Sequence, residues 1–148
     1  MSIYFKHKIV AITGASSGIG KAMTFALLHQ GAKVAVCGRN AEQLSKLQQE
    51  ANHTNLLTIQ ADVSIESECK AFIDQTVKHF GGLDVLVNNA GISMRALFQE
   101  VDLEVLRKCM DINFWGTVYC SKFAIPYLLK SKGSIAGISS IAGYKGLP

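Results

Sequence analysis

The stretch Thr13-Gly14-Ala15-Ser16-Ser17-Gly18-Ile19-Gly20 constrains this chain more than any other. It follows the apolar run Ile9-Val10-Ala11-Ile12 and precedes a helical pattern, so it predicts a strand, a glycine-rich turn and a helix. Glycine permits a sharp turn and the close approach of a ligand, because it has no Cβ. The helix start presents free N–H groups and a positive dipole end, which suit a pyrophosphate. Three glycines alone also fit an empty loop, but the flanking strand and helix favour a dinucleotide site.

The composition is that of one soluble α/β domain, which we place at residues 1–148. Nearly half of the residues are apolar and 13 are glycine, which does not suit a disordered segment. The net charge of +4 is spread along the chain, and no basic block indicates a nucleic-acid partner. The start does not resemble a signal peptide, and no segment approaches the length of a membrane span. We therefore expect a cytoplasmic protein with neither a nucleic-acid nor a membrane partner.

Cysteine and histidine usage indicates no metal site. The histidines are scattered, and the cysteines have neither metal-ligand nor redox spacing. We interpret the cysteines as small apolar residues in a reducing compartment: Cys37, Cys69, Cys109 and Cys120.

Strand and helix patterns alternate along the whole chain. Short apolar runs predict strands at residues 8–13, 33–37, 56–61, 83–88 and 134–139. Helices are predicted at 18–30 and 41–52, from an N-cap at Ser64 to Gly81-Gly82, and from about 102 toward 130. This alternation predicts a doubly wound parallel sheet in three α/β/α layers, the Rossmann fold. Its ligand would lie at the carboxyl ends of the strands.

The end of the second strand distinguishes NAD from NADP. A carboxylate there would bind the 2′-hydroxyl of NAD, but this chain reads Cys37-Gly38-Arg39-Asn40. No carboxylate is present here to repel a phosphate, and the guanidinium of Arg39 can form a bidentate contact with a phosphate. We therefore predict NADP(H) as the cofactor, with NAD less favoured. The alternative is that Arg39 is a solvated loop residue.

Further strand ends carry polar groups at the same edge of the sheet. Asp62 can accept a hydrogen bond from an adenine amino group while the Val63 backbone meets the ring edge, although Asp62 also suits a turn before Ser64. The segment Asn88-Asn89-Ala90-Gly91 can approach the cofactor ribose closely, or it is an ordinary Asn/Gly turn. The pair Ser139-Ser140 can hydrogen-bond a substrate carbonyl, or it forms a turn.

Asn113 lies in the long helix on a stripe that is predicted to face inward. A buried amide is costly unless its partners are fixed, so Asn113 either bonds to the neighbouring loop or serves an active site. The same stripe carries Leu106, Met110, Phe114 and Thr117.

Together these residues resemble the short-chain dehydrogenases/reductases, in the subgroup whose chains are about one domain long. The resemblance covers essentially the whole chain, in the family's order. It is carried by Thr13-Gly14-x-x-x-Gly18-Ile19-Gly20, Asp62-Val63, Asn88-Asn89-Ala90-Gly91, Asn113-x-x-Gly116, Gly133-Ser134-Ile135 and Ser139-Ser140-x-Ala142-Gly143. It implies a homo-oligomer, dimer or tetramer, as the complete chain. The implied cofactor contacts are Gly14, Ser16, Ser17, Gly18, Ile19, Gly20, Arg39, Asp62, Val63, Asn89, Ala90 and Gly91.

The resemblance also implies hydride transfer between the nicotinamide and a carbonyl or alcohol carbon of a small molecule. In that family a Tyr is the general acid, and a Lys four residues later lowers the pKa of that Tyr. By position, Ser140 orients the substrate oxygen and Asn113 anchors a water of the proton relay. The family's Tyr would fall beyond Pro148, and Tyr144 does not stand at its spacing. We therefore expect a truncated, inactive portion of a longer enzyme, with strand five as an exposed apolar edge.

Other functions fit parts of the sequence. The missing Tyr and Lys suit a truncated, non-catalytic module that binds a nucleotide or a partner. A sugar-nucleotide epimerase or dehydratase usually shows G-x-x-G-x-x-G, a pattern that this chain lacks. A methyltransferase would require an acidic residue at the end of the second strand, where this chain has Cys37-Gly38-Arg39-Asn40.

Overall fold

A five-stranded parallel sheet forms the centre of the fold. The computed structural model describes residues 4–141, so Ala142, Gly143 and Tyr144 lie outside the described residues. The strands are β1 (Ile9–Thr13), β2 (Lys33–Gly38), β3 (Leu56–Gln60), β4 (Val85–Asn88) and β5 (Ser134–Gly137). Their order across the sheet is β3-β2-β1-β4-β5, and every neighbouring pair is parallel. The central strand β1 aligns Ile12 with Val36 of β2 and Val87 of β4.

Helices cover both faces of the sheet. They are α1 (Gly18–His29), α2 (Ala41–Ala51), α3 (Glu66–Phe80), α4 (Leu103–Met110) and α5 (Gly116–Ser131). Val10 and Ile12 of β1 pack in one core with α1 and α2, whereas Ala11 packs in a second core with Phe72 of α3 and Ala124 of α5. Both faces of the central strands are therefore buried, which explains their continuous apolar runs. The predicted three-layer Rossmann fold is confirmed.

The helix after β3 does not begin at the predicted N-cap. Its N-cap is Ile65, which supplies no capping side chain. Ser64 instead donates its hydroxyl and its backbone N–H to Oδ1 of Asp62, over 2.7 and 2.9 Å. The prediction for Ser64 is wrong because the neighbouring carboxylate is a strong acceptor that holds this residue in a turn before the helix. The predicted end is confirmed, since Gly81 ends α3 with φ of 91°.

The long helix predicted toward residue 130 is interrupted. A π-helical segment, Asp111–Trp115, joins α4 to α5. The wider turn of a π-helix rotates the residues that follow relative to an α-helical pattern. The predicted inward stripe is wrong, because Phe114 within this segment is exposed and Met110, at the end of α4, is exposed as well. The buried stripe instead consists of Ile112, Gly116, Cys120, Ala124 and Leu128.

The strand β5 is an open edge of the sheet in residues 4–141. All four of its residues are exposed, and Ile135 keeps 45% of its surface accessible. The prediction of an exposed apolar edge is confirmed, although β5 ends at Gly137 instead of residue 139. Ser139 and Ser140 therefore follow the strand and are exposed. None of the described helices combines the length and the apolarity that crossing a membrane requires.

Candidate functional site

A cleft of about 900 Å³ lies where the carboxyl ends of the strands meet. Its wall combines the turn after β1, the end of β2 and the loops after β3 and β4. Gly20 is absent from this wall because it is buried in the first turn of α1, beside the Asn89 side chain. The other predicted cofactor-contact residues all line the cleft: Gly14, Ser16, Ser17, Gly18, Ile19, Arg39, Asp62, Val63, Asn89, Ala90 and Gly91.

The turn after β1 is built to hold an anion. Gly14 has φ of +64°, and a Cβ at this position would lie 2.6 Å from Cα of Ala90, so only glycine fits here. Ser17 is the N-cap of α1, but its side chain makes no capping hydrogen bond, and the first turn contains no acidic residue. The first N–H groups of α1 and its dipole are therefore available to a phosphate in the cleft.

The β1 turn is tied to the end of β4 by two side chains. The Thr13 hydroxyl, which is buried, accepts hydrogen bonds from the backbone N–H groups of Asn89 and Ala90, each over 3.0 Å. In return, Nδ2 of Asn89 donates to the carbonyl oxygens of Thr13 and Gly14, over 2.9 and 3.0 Å. These four hydrogen bonds fix the two loops against each other.

Arg39 extends from the end of β2 over the rim of the cleft. Its side chain is 52% exposed, and Nη1 lies 4.0 Å from Oδ2 of Asp62. The Gln60 side-chain amide donates to the Arg39 carbonyl oxygen over 3.1 Å and holds the backbone of the rim. Because the contact with Asp62 is long and exposed, it restrains the guanidinium only weakly.

Asp62 has a structural function in the loop after β3. Its Oδ1 receives both hydrogen bonds from Ser64, as the turn interpretation predicts. Its Oδ2 lies on the side of Arg39, and its backbone N–H donates to Glu68 Oε2 over 2.6 Å. Val63 follows in the cleft wall, with its carbonyl oxygen accepting from the Cys69 thiol over 3.2 Å.

Asn113 is exposed instead of buried, so the burial predicted for its side chain is wrong. It lies in the π-helical segment, where Oδ1 accepts from the Ile92 N–H and Nδ2 donates to the Ile92 carbonyl oxygen, each over 2.8 Å. The amide therefore bonds to the neighbouring loop, one of the two alternatives for this residue. Neither Asn113 nor Ser140 belongs to the cleft wall. Three residues near them do: Ile92, Ile112 and Ile138.

Two of the buried cysteines, Cys37 and Cys120, are unsuited to nucleophilic chemistry. Burial raises the pKa of Cys37, at the end of β2, to about 12. The hydrogen bond with Cys69, together with burial, also raises the pKa of Cys120. Within residues 4–141, no three His, Cys, Asp or Glu side chains cluster in a way that could hold a metal ion.

Comparison with known proteins assigns the family. The family model for short chain dehydrogenases matches residues 8–148. This chain belongs to the short chain dehydrogenase family. Membership in this family and the Rossmann fold imply a nicotinamide cofactor, NAD or NADP.

Several relatives of the short chain dehydrogenase family are similar to most of this chain. An "11-beta-hydroxysteroid dehydrogenase-like 3" of Arabidopsis thaliana is 44% identical over 90% of this chain and 45% of its own length. An "11-beta-hydroxysteroid dehydrogenase A" of Arachis hypogaea is 43% identical over 95% of this chain and 42% of its own length. This chain thus spans less than half the length of these relatives.

A solved structure of another dehydrogenase supports the same fold. Serine dehydrogenase from Escherichia coli superimposes with a TM-score of 0.86 at 30% sequence identity. The match covers 94% of this chain and 65% of that protein. The cleft fits the cofactor of the family, because a Cβ on Gly18 would meet open space beside an uncapped helix start and Arg39 stands at the rim.

Sequence reasoning assigned no function to several residues that shape the site. Thr13 was visible as a hydroxyl at the end of a strand, where the carboxyl edge of a parallel sheet meets neighbouring loops. Gln60 and Glu68 gave no signal, because each bonds to a backbone atom, and a contact with the backbone imposes no residue type on its partner. Ile92 and Ile138 follow strands and could be recognised only once the loop paths were known.

Proposed function

We propose that this chain is the cofactor-binding portion of an NADP(H)-dependent oxidoreductase acting on a carbonyl or alcohol substrate. The observation that supports NADP is the rim of the cleft at the end of β2, where Arg39 extends into solvent and no carboxylate stands in the Cys37-Gly38-Arg39-Asn40 segment. A guanidinium offers paired N–H donors to a phosphate, whereas NAD-binding sites place a carboxylate here.

In this proposal, different residues of the cleft contact different parts of the cofactor. The turn from Gly14 to Ile19 holds the pyrophosphate on the start of α1, and Arg39 holds the 2′-phosphate. Asp62 and Val63 contact the adenine, and the loop from Asn89 to Gly91 lies along the ribose. The bound nicotinamide supplies or accepts the hydride.

The proposed functions of Ser140 and Asn113 concern the substrate side. Ser140 follows β5 at the carboxyl edge of the sheet, where its hydroxyl can donate to a substrate oxygen. Asn113 holds the Ile92 backbone with both ends of its amide and so fixes the loop beside Gly91. We propose that this loop and Ser140 place the substrate oxygen. A homo-oligomeric complete protein and a cytoplasmic location stay predictions from the sequence.

The family and the relatives' names support a class of substrate. Hydride transfer requires a carbon that alternates between ketone or aldehyde and alcohol. Because the similar plant proteins are named hydroxysteroid dehydrogenases, hydroxysteroids and ketosteroids belong among the first substrates tested. The relatives' names therefore guide the choice of substrates.

Steady-state kinetics of the complete enzyme with NADPH and NADH tests the proposal. We expect a higher kcat/KM with NADPH, and Arg39→Asp should lower it about tenfold to a hundredfold, as expected for a charge-assisted phosphate contact. Lys46→Asp is the matched control, because it makes the same charge change at an exposed Lys–Glu pair of α2 outside the cleft. A native enzyme that prefers NADH would contradict the proposal.

A further inference from the structure

We propose that Glu68 is a positioning residue for the adenosine half of the cofactor, acting through the loop after β3. This inference rests on the proposed function, because it concerns the same cleft. Glu68 is the third residue of α3 and is half-buried. Its Oε2 accepts a hydrogen bond from the backbone N–H of Asp62 over 2.6 Å, so the carboxylate connects the helix to the second residue of the loop.

The loop that Glu68 holds carries two residues of the cleft wall, Asp62 and Val63. Glu68 itself lies outside that wall, and it lines a smaller adjoining cavity together with Arg39, Gln60 and Asp62. A residue in this position reaches the adenosine site only through the backbone that it holds. Glu68 therefore sets where the loop stands, while Asp62 and Val63 face the ligand.

The loop is also held to β2 by the Ala61 N–H bond to the Gly38 carbonyl oxygen and packs against Gly116 through Val63, but its hydrogen bonding to α3 depends mainly on the carboxylate. The Ser64 hydrogen bonds to Asp62 and the Ile65 N–H bond to the Asp62 carbonyl oxygen close the turn on itself, without holding it to the body of α3. The Cys69 thiol does reach the Val63 carbonyl oxygen, but a thiol is a weak donor. A carboxylate that accepts a backbone N–H near a helix start makes a stronger, charge-assisted bond.

Three substitutions separate positioning from charge. Glu68→Ala removes the bond, whereas Glu68→Gln keeps an amide oxygen at the same reach and removes the charge. Glu68→Asp keeps the charge but withdraws the carboxylate by about 1.5 Å, the length of one carbon–carbon bond. Glu66→Ala is the matched control, because Glu66 lies in the same first turn, with its Oε1 3.6 Å from Lys122, and takes no part in the loop.

The measurement is calorimetric titration of each protein with two probes, adenosine 2′,5′-bisphosphate and 5′-AMP, at a temperature where thermal scans show every variant folded. We expect Glu68→Ala and Glu68→Asp to weaken both probes by the same factor, about fivefold to twentyfold, as for the loss of one charge-assisted contact that orders a binding loop. Glu68→Gln should weaken both probes less than Glu68→Ala does, because it keeps the hydrogen bond without the charge, and Glu66→Ala should bind both probes within about twofold of the native protein. An equal loss for both probes is decisive against an effect on the 2′-phosphate, because the two probes share the adenosine and its 5′-phosphate and differ only in that group.

The other outcomes overturn the inference in distinguishable ways. If Glu68→Ala and Glu68→Asp bind both probes like the native protein, Glu68 does not position the site, and the proposed function stands. If Glu68→Gln changes only the bisphosphate affinity, the carboxylate acts by charge on the 2′-phosphate, and positioning is overturned. If the native protein binds neither probe, both the proposed function and this inference fail.

Discussion

At the scale of single residues, the Thr13 hydroxyl gives a direct test of the contacts that hold the site together. It is buried and is the hydrogen-bond acceptor for two backbone N–H groups, those of Asn89 and Ala90. Thr13→Val keeps the shape and leaves both donors without that acceptor. We expect the free energy of unfolding to fall by about 2–4 kcal/mol, since each unsatisfied buried group costs about 1–3 kcal/mol. Urea unfolding of the two proteins measures this difference.

Thr76→Val is the matched control for that substitution. Thr76 is also fully buried, but its hydroxyl donates to the Phe72 carbonyl oxygen inside α3. That carbonyl keeps its helical hydrogen bond when the hydroxyl is lost, so we expect a change below about 1 kcal/mol. Equal losses in the two variants would show that Thr13 contributes no more than a generic buried hydroxyl.

Single residues also show how far the sequence predicts the site. Arg39 and the Asn89 loop could be placed because the carboxyl ends of parallel strands meet at one edge. The environment of Asn113 could not, because its predicted burial assumed an unbroken α-helix. Ser64 was placed as an N-cap from residue type alone, although Asp62 competes for its hydroxyl. These errors arise where the partner of a side chain depends on backbone geometry.

At the scale of elements, the start of α5 approaches the loop after β3 very closely. A Cβ on Gly116 would lie 2.9 Å from Cγ2 and 3.1 Å from the carbonyl oxygen of Val63. Gly116→Ala should therefore destabilise the protein by about 1–3 kcal/mol through overpacking, although alanine favours a helix by about 1 kcal/mol. Chemical unfolding measures the stability, and adenosine 2′,5′-bisphosphate titration should show weaker binding because Val63 lines the cleft.

The double variant Val63→Ala/Gly116→Ala provides the control for this steric argument. Removing the two methyl groups of Val63 makes room for the new Cβ, so the destabilisation by Gly116→Ala should be smaller in the Val63→Ala background. Additive effects of the two substitutions would contradict a steric conflict between these residues.

Elements differ in how much of them the sequence predicts. The strands β1 to β4 and helices α1 to α3 follow strong local patterns that end in glycine or asparagine, and their predicted positions agree with the structure to within a few residues. The π-helical segment between α4 and α5 has no pattern of its own, since its signature is one additional residue in a turn. The small buried residues of α5 indicate close packing only after the partner, Val63, is known.

At the scale of the whole molecule, two hydrophobic cores lie on opposite faces of one sheet. The first core lies under α1 and α2, and the second under α3 and α5. In the described part of the chain, α4 has no buried residue and all four residues of β5 are exposed. The sequence predicted the layers because burial on both faces leaves unbroken apolar runs, whereas it did not predict the exposure of α4.

The sheet interior also makes the stability of the whole molecule depend on pH. Cys37 is fully buried, and burial raises its pKa from the ordinary 9.0 to about 12. Above pH 9 the unfolded chain loses this thiol proton while the folded protein keeps it, so the folded state binds more protons. The free energy of unfolding contributed by the neutral thiol is therefore fully present below pH 9 and is lost as the pH rises toward 12.

Comparison of the native protein with Cys37→Ala isolates this contribution, because every other titrating group is common to both. We expect the stability advantage of the native protein over Cys37→Ala to shrink by about 1 kcal/mol between pH 9 and pH 10, since unfolding releases on average about three quarters of a proton over that pH unit. Urea unfolding at several pH values from 8 to 10 measures the difference. An advantage that stays constant across this range would show that Cys37 titrates alike in the folded and unfolded chains, and would contradict its burial as a neutral thiol.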